Sequence, residues 1–359
     1  MALQTSGQIS LNDLHVEAGG VSGTECSLND TDIRSIISVG DQSQDHKISL
    51  YYGASSEQSF TISSNQTALD LATYLTNEGW NGSATAIVTI NSGVWIISNN
   101  VSTAAITISN AFNNKLTLIN NGIIMGRGGN GGYRGSPAAQ SGGAAVSNSA
   151  TGVVFTNNSG AYLAGGGGGG AASANDGGGN DMGSGGGGAG GGMGGPYPST
   201  YPNGPSGGGI NGYGSTGLRG GPYGGYGGGA GGGGGAADTN DGADGGGGGR
   251  RVDAVSNAIG GTNVGRYNGG TRGAFGGLGG PAPGSRDIPG GNGGGLNSAG
   301  SNYSQQGASK NDDASGGGGG GYGAAGGNGR LQTGGSGGAA WAGTDWASVT
   351  NNGTIWGST

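Results

Sequence analysis

One cysteine, Cys26, stands among 359 residues. A lone thiol can form neither an intrachain disulfide nor a thiolate metal cluster within the chain. Histidine is nearly as scarce, with His15 and His46 the only two. Neither sits near a nucleophile and an acid in a pattern that would serve a catalytic triad. Charged residues make up only 9% of the chain and the formal net charge is −7. An acidic balance of this kind lacks the basic footprint of a nucleic-acid binder. Glu17, Glu25, Glu57 and Glu78 all fall early in the sequence, and the remaining acids lie in loop-like stretches. The rigid carboxylate pair of a chain-cleaving glycosidase is therefore not expected. No run reaches the ~18 apolar residues of a membrane span. The opening Met1-Ala2-Leu3-Gln4-Thr5 is neither basic nor apolar, so no secretory signal is expected. These shortages together predict a protein that is not an enzyme and carries no cofactor and no metal. The acidic stretch Asp238-Thr239-Asn240-Asp241-Gly242-Ala243-Asp244 misses the EF-hand spacing and reads as a solvated loop.

Glycine is what the chain has instead: 99 residues, of which nine precede residue 121. The composition thus changes near Gly126. The first third carries enough apolar residues for a small core, including Ile33, Ile36, Ile37, Leu71, Leu75, Val88, Trp95 and Ile96. The remainder cannot bury side chains it does not have, and glycine loses the most backbone entropy on folding.

Ser10 and Asp13 have the spacing of a capping box and predict a short helix with Leu11, Leu14 and Val16 as its apolar contacts. Gly19-Gly20 would end it. Asn29 or Asp30 starts a second short helix with Ile33, Ile36 and Ile37 at helical spacing. Residues 47–62 alternate weakly, as a strand does, and 67–77 read as a helix. Runs rich in Ile, Val and Thr at 86–98, 104–109 and 115–125 predict strands, with Asn pairs between them as turns.

One unit recurs. Asn120-Asn121-Gly122 is echoed by Asn157-Asn158-Ser159-Gly160 and by Asn351-Asn352-Gly353. Asn-Gly suits the positive φ of a tight turn. Gly128-Gly129-Asn130-Gly131 and Ser141-Gly142-Gly143-Ala144-Ala145 precede the second copy. Gly326-Gly327-Asn328-Gly329 and Ser336-Gly337-Gly338-Ala339-Ala340 precede the third. Two copies of one unit thus bracket the glycine-rich stretch, and their strands are placed to stack on the strand at 115–120.

Between the brackets, about ten glycine tracts alternate with polar and aromatic spacers. Collagen is excluded: runs such as Gly165–Gly170 hold no threefold register, and prolines number only nine. The polyglycine II conformation fits better. It leaves backbone N–H and C=O groups pointing outward, and neighbouring tracts can pair them because no side chains hold the backbones apart.

Connected glycine tracts with variable polar-aromatic loops resemble the tail-fibre tip adhesins of T-even-like phages, and the opening Met1–Leu11 resembles the N-termini of phage tail proteins. The first resemblance covers roughly residues 126–340. It implies a layered polyglycine II sandwich whose loops contact a host outer-membrane protein or surface glycan. The β-rich part at 84–126 departs from that pattern.

The expected fold is a small α+β or β-rich N-terminal domain followed by a polyglycine II helix sandwich with little regular secondary structure, ending in short β-strands. The expected division is 1–25 for virion attachment, 26–125 for the small domain, 126–340 for the glycine-rich part and 341–359 for a C-terminal hairpin packing back on the first domain. The expected role is a bacteriophage tail adhesin. The alternative is a purely structural virion or fibre subunit. Candidate receptor-binding residues are Tyr197, Tyr201, Arg250, Arg251, Arg266, Tyr267, Tyr303, Gln305, Gln306 and Lys310, aromatic and Arg anchors among adaptable polar neighbours. Expected partners are other tail proteins through the N-terminal region, the host receptor, and further copies of the chain, a trimer included, but no nucleic acid. The expected location is the virion tail, assembled in the host cytoplasm.

Overall fold

The structure is a computed structural model that describes residues 3–37, 47–52, 56–132, 138–171, 185, 187–190, 294, 297–302, 317–330 and 332–359. Its strands are short and rich in β-branched residues, and alternate residues face inward. Strand β4 (Thr85–Ile90) buries Ala86, Val88 and Ile90 while the residues between them stay partly exposed. Such a strand can bury one face only if something stacks behind it. Here other turns of the same chain do so.

The strands wind through three parallel sheets. The first sheet takes β1 (Glu57–Ile62), β4, β7 (Leu116–Asn120), β10 (Val154–Asn157) and β13 (Ser348–Asn351). The second takes β2 (Gln66–Thr67), β5 (Trp95–Ile97), β8 (Ile123–Met125), β11 (Tyr162–Ala164) and β14 (Thr354–Trp356). The third takes β3 (Leu69–Asp70), β6 (Ile106–Ile108), β9 (Val146–Asn148) and β12 (Trp341–Gly343). Each coil visits the sheets in turn, so the chain forms a parallel β-solenoid. In-register stacking puts like on like. Ile96, Ile124 and Leu163 are fully buried in one inward column. Val88, Leu118 and Phe155 form another. Phe155 also packs between Trp341 and Trp346, at ring distances of 5.4 Å and 5.7 Å.

Helices are few and short. The helix α1 (Leu11–Glu17) carries the expected capping box, with the Ser10 side chain accepting from Asp13 N–H and the Asp13 carboxylate accepting from Ser10 N–H. Those same bonds hold the Asp13 carboxyl below its usual pKa. Leu14 is buried, but Val16 is exposed rather than packed. With α2 (Thr31–Ser35) and Tyr51, α1 closes a separate small cluster around Leu14, Ile33 and Ile36. It joins the first coil where Ser56, just before β1, donates its N–H and hydroxyl to Glu17 Oε1 at 2.9 and 3.0 Å. Helix α3 (Leu71–Asn77) starts at Asp70, whose side chain accepts from Thr73 N–H. It begins later than expected because 66–70 is spent on β2 and β3.

The expected fold class is overturned. The strands at 85–125 do not close a small N-terminal domain; they pair in register with strands at 146–164 and, through them, with strands at 341–356. The core strands therefore span the chain. The described glycine-rich residues are insertions into solenoid coils and not a separate sandwich that follows a domain. The misreading has a physical cause. Alternation reveals that a strand has one buried face, but not which strand lies beside it, and β10 pairs with β13 across nearly 200 residues.

The Asn-Gly units form the corners between the first and second sheets. Gly122 and Gly353 do not adopt positive φ there. They are glycine because a Cβ at Gly122 would lie 2.5 Å from Val94 O, and one at Gly353 would lie 2.5 Å from Asn158 O. The neighbouring coil comes too close for a side chain. Asn120, Asn157 and Asn351 stack at this corner. Asn120 Nδ2 donates to Asn157 Oδ1 at 2.9 Å, and Asn157 Nδ2 donates to Asn351 Oδ1 at 2.9 Å.

Candidate receptor-binding surface

The glycine segments leave the solenoid from the ends of β8 and β11 and return to β9 and β12. Segment 126–132 runs out and 138–145 runs back. Segment 165–171 runs out and 185–190 runs back. Further on, 298–302 runs out beside the returning 317–322, and 324–329 runs out before 334–340 returns to β12.

Lateral backbone bonds establish these directions. Gly166 N–H donates to Gly143 O at 2.9 Å, Gly188 N–H to Gly129 O at 2.9 Å, Gly320 N–H to Gly168 O at 2.8 Å and Gly338 N–H to Gly166 O at 2.7 Å. The two repeated return units lie side by side, with Gly142 N–H donating to Ser336 O at 2.9 Å and Ala145 N–H to Ala339 O at 3.0 Å. Backbones this close leave no room for side chains: a Cβ at Gly168 would sit 1.9 Å from Gly335 O. Each buried N–H and C=O paired in this way avoids the cost of an unmet hydrogen bond.

The inner end of these segments is anchored by aromatic packing. Tyr322 is 1% exposed and stacks on Trp356 at 5.8 Å, and Trp356 also contacts the Tyr162 ring at 5.6 Å. Arg127 is half-buried near this end, and burial lowers its guanidinium pKa.

The outer end gathers the flanks of three breaks in the described residues, whereas the break after Gly190 lies at the inner end, where Gly128 N–H donates to Gly190 O at 3.1 Å. Gly132 N–H donates to Gly170 O at 2.8 Å and Gly185 N–H to Gly132 O at 3.0 Å. Gly317 N–H donates to Ala171 O, and Ala171 N–H to Gly327 O, both at 2.9 Å. Gly318 N–H donates to Ser301 O at 3.0 Å. The flanks of 133–137, 172–184 and 303–316, together with Gly329, whose N–H donates to Gln332 O at 3.0 Å, are thus knitted into one patch. Polar side chains punctuate it. Asn302 Oδ1 accepts from Asn328 N–H and Asn328 Oδ1 from Gly334 N–H, each at 3.0 Å, while Gln140 and Gln332 lie close by in the chain order of the patch. Gln332 Oε1 is buried and has no hydrogen-bond donor among the described residues.

All ten residues singled out from sequence, Tyr197, Tyr201, Arg250, Arg251, Arg266, Tyr267, Tyr303, Gln305, Gln306 and Lys310, lie outside the described residues. The stretch that holds Tyr303, Gln305, Gln306 and Lys310 is joined at Asn302 and Gly317 to the outer end. Sequence reasoning overlooked the short connections 133–137 and 329–333, whose signal was an Asn or Gln flanking each glycine tract. Among the described residues no group of His, Cys, Asp and Glu could hold a metal ion, and no helix is long and apolar enough to cross a membrane.

A family model described as phage tail fibre adhesin Gp38 matches residues 57–266, more than half of the chain. Among solved structures, the chain is similar to the gp37-gp38 adhesin tip complex of the bacteriophage S16 long tail fiber. That similarity has 18% identity and a TM-score of 0.47, and it covers 99% of both chains. No curated protein matches the chain.

Proposed function

Since this chain belongs to the phage tail fibre adhesin Gp38 family, we propose that it grips the host through the polar and aromatic segments that connect its glycine tracts, the one at 303–316 being rooted at the outer end of the insertions. Membership makes it a component of the virion tail and an adhesin that binds a host-cell surface receptor. The finer reading is ours. The receptor is an outer-membrane protein or a surface glycan, met by Tyr197, Tyr201, Arg250, Arg251, Arg266, Tyr267, Tyr303, Gln305, Gln306 and Lys310. Tyrosine and arginine supply rigid or bidentate anchors, and the glutamines supply adaptable hydrogen bonds. The observation that supports this most is the convergence of Gly132, Ala171, Gly185, Ser301 and Gly317 in one hydrogen-bonded patch.

The N-terminal module around Leu14, Ile33 and Ile36 is proposed as the contact with another tail protein. It packs as a unit of its own and meets the first coil through Glu17 and Ser56. Several copies per virion, assembled in the host cytoplasm, complete the proposal. Binding without catalysis is the working role.

Purified chain added to host cells tests the proposal. It is expected to bind the cells and to block adsorption of the parent phage in a dose-dependent way. Failure to bind cells while properly folded would overturn the receptor role.

A further inference from the structure

Arg127 stands at an edge of the glycine lattice. The register of β8 and β11 continues past the strands, so Gly166 and Gly169 lie over Arg127 and Asn130, one coil apart. A Cβ at Gly166 would sit 2.0 Å from Arg127 O, and one at Gly169 would sit 2.0 Å from Asn130 O. These two positions, three residues apart, therefore face the preceding coil. The positions between them face other segments. In 126–132, a Cβ at Gly126 or Gly129 would meet Gly143 O or Gln140 O at 2.0 Å, and one at Gly128 would meet Gly188 O at 2.3 Å.

What differs at Arg127 is the coil it faces. The register of β5 and β8, continued in the same way, places Asn99 beneath Arg127. The coil of β5 sends out no glycine segment; it turns to β6 through residues 98–105. Ser98 holds that turn, its Oγ accepting from Asn100 N–H at 3.1 Å. Asn99 and Asn100 are exposed. The direction that a neighbouring backbone closes at Gly166 and Gly169 is thus free at Arg127 and Asn130, and side chains occupy it.

Arg127 brings two donors to this place and meets no acceptor. In the next coil Gly166 N–H donates to Gly143 O at 2.9 Å. Its counterpart, Arg127 N–H, has no such bond among the described residues, and the guanidinium makes neither a hydrogen bond nor an ion pair among them. The side chain is nonetheless half-buried, and burial alone lowers its pKa. A cation taken partly out of water with no counter-charge is costly to hold. A bound anion would offset that cost.

We propose that the notch between segment 126–132 and the turn at 98–103 binds the acidic group, carboxylate or phosphate, of a host surface saccharide. The guanidinium fork matches either anion in a bidentate geometry, with Arg127 N–H as a further donor. Asn99 and Asn100, exposed below it, supply amides for the sugar hydroxyls. The notch lies at the inner end of the glycine insertions, beside the solenoid. It is a second contact, separate from the patch at the outer end. It rests on the chain being an adhesin for a cell surface, but not on which segments meet the receptor.

The test is an NMR titration of the isotope-labelled chain with glucuronic acid and with glucose 6-phosphate. Glucose and inorganic phosphate are the controls. Saturable shifts of the Asn99 and Arg127 amides are expected with one or both acidic sugars, and none with glucose. Arg127→Gln should weaken that binding about tenfold or more, the scale of a lost hydrogen bond to a charged group. The same variant should resist denaturant at least as well as the parent, because it removes an unpaired, partly buried charge. Its binding to host cells is expected to fall about tenfold. Absence of saturable binding of either acidic sugar to the parent chain would overturn the proposal. So would equal affinity for inorganic phosphate, since the notch would then hold an ion and no sugar. Equal affinity for glucose, or unchanged cell binding by Arg127→Gln, would overturn it as well. An acidic sugar bound by a parent chain that fails to bind cells would count against the receptor reading alone.

Discussion

Asn120 Nδ2 donates to Asn157 Oδ1 at 2.9 Å, across 37 residues of sequence and one coil of the solenoid. Both side chains are fully buried. Removing the middle member leaves one Asn120 Nδ2 donor, the Asn351 acceptor and Thr354 O without it. Asn157→Ala is expected to destabilise the protein by about 2–4 kcal/mol, since each buried polar group left unpaired costs about 1–3 kcal/mol. Denaturant unfolding of the purified chain measures this. A change below about 0.5 kcal/mol, the range of ordinary surface substitutions, would show that the column contributes no stability.

Gly168 and Gly160 separate two uses of glycine. A Cβ at Gly168 would meet Gly335 O at 1.9 Å, and backbone cannot swing aside as a flexible side chain can. Gly160 has φ +82° and open space around it. Gly160→Ala should cost about 1 kcal/mol of backbone strain. Gly168→Ala should cost about 3 kcal/mol or more, because the lattice must open. Hydrogen exchange should show the loss of protection at Gly166, Gly169 and Gly320 in the second variant only. Equal effects would contradict the close-packed arrangement.

Glu17 ties the N-terminal module to the first coil. Burial disfavours its ionised form, but hydrogen bonds, those from Ser56 among them, outweigh this and leave the carboxyl below its reference pKa of 4.5. A depressed folded pKa means the contribution is complete above the unfolded value and is lost as pH falls through the folded value. The Ser56 amide should therefore stay protected from exchange above the reference value and lose protection as pH falls through the lowered folded value. Glu17→Gln should remove that pH dependence. An amide equally protected on both sides of the folded value in the native chain would refute the coupling.

Much of the local structure was legible in sequence, and the global arrangement was not. The Ser10–Asp13 capping box, the strand character of 115–125 and the stacking of the second Asn-Asn unit on residues 115–120 came from spacing, while the third unit stacks on the second instead. The pairing of the two Ser-Gly-Gly-Ala-Ala returns came from spacing too, though not their side-by-side contact. What spacing could not carry was the solenoid. Three sheets alternate along one chain, and an Ile-Val-Thr run looks the same whether its neighbour lies ten or two hundred residues away. Residues 86–98 and 115–125 read as single strands, but each bends at an Asn or Gly into two sheets. Asn-Gly spacing predicts positive φ at these corners, which Gly160 adopts at +82°, whereas at Gly122 the close approach of the preceding coil is what excludes a side chain. At the candidate site, the roots at Gly132, Ala171 and Gly317 became a patch only through bonds between tracts that no local pattern records.

Exchange of residues 303–316 for the matching stretch of a family member with a different host is the most direct test of the central claim. The exchange keeps Asn302 and Gly317, and with them the hydrogen bonds to Asn328, Ala171 and Ser301. Phage carrying the exchanged chain are expected to lose adsorption to the original host by about tenfold or more, as for removal of a binding hot spot, and to gain adsorption to the donor's host. Unchanged adsorption by particles that carry the exchanged chain at full copy number would contradict the account.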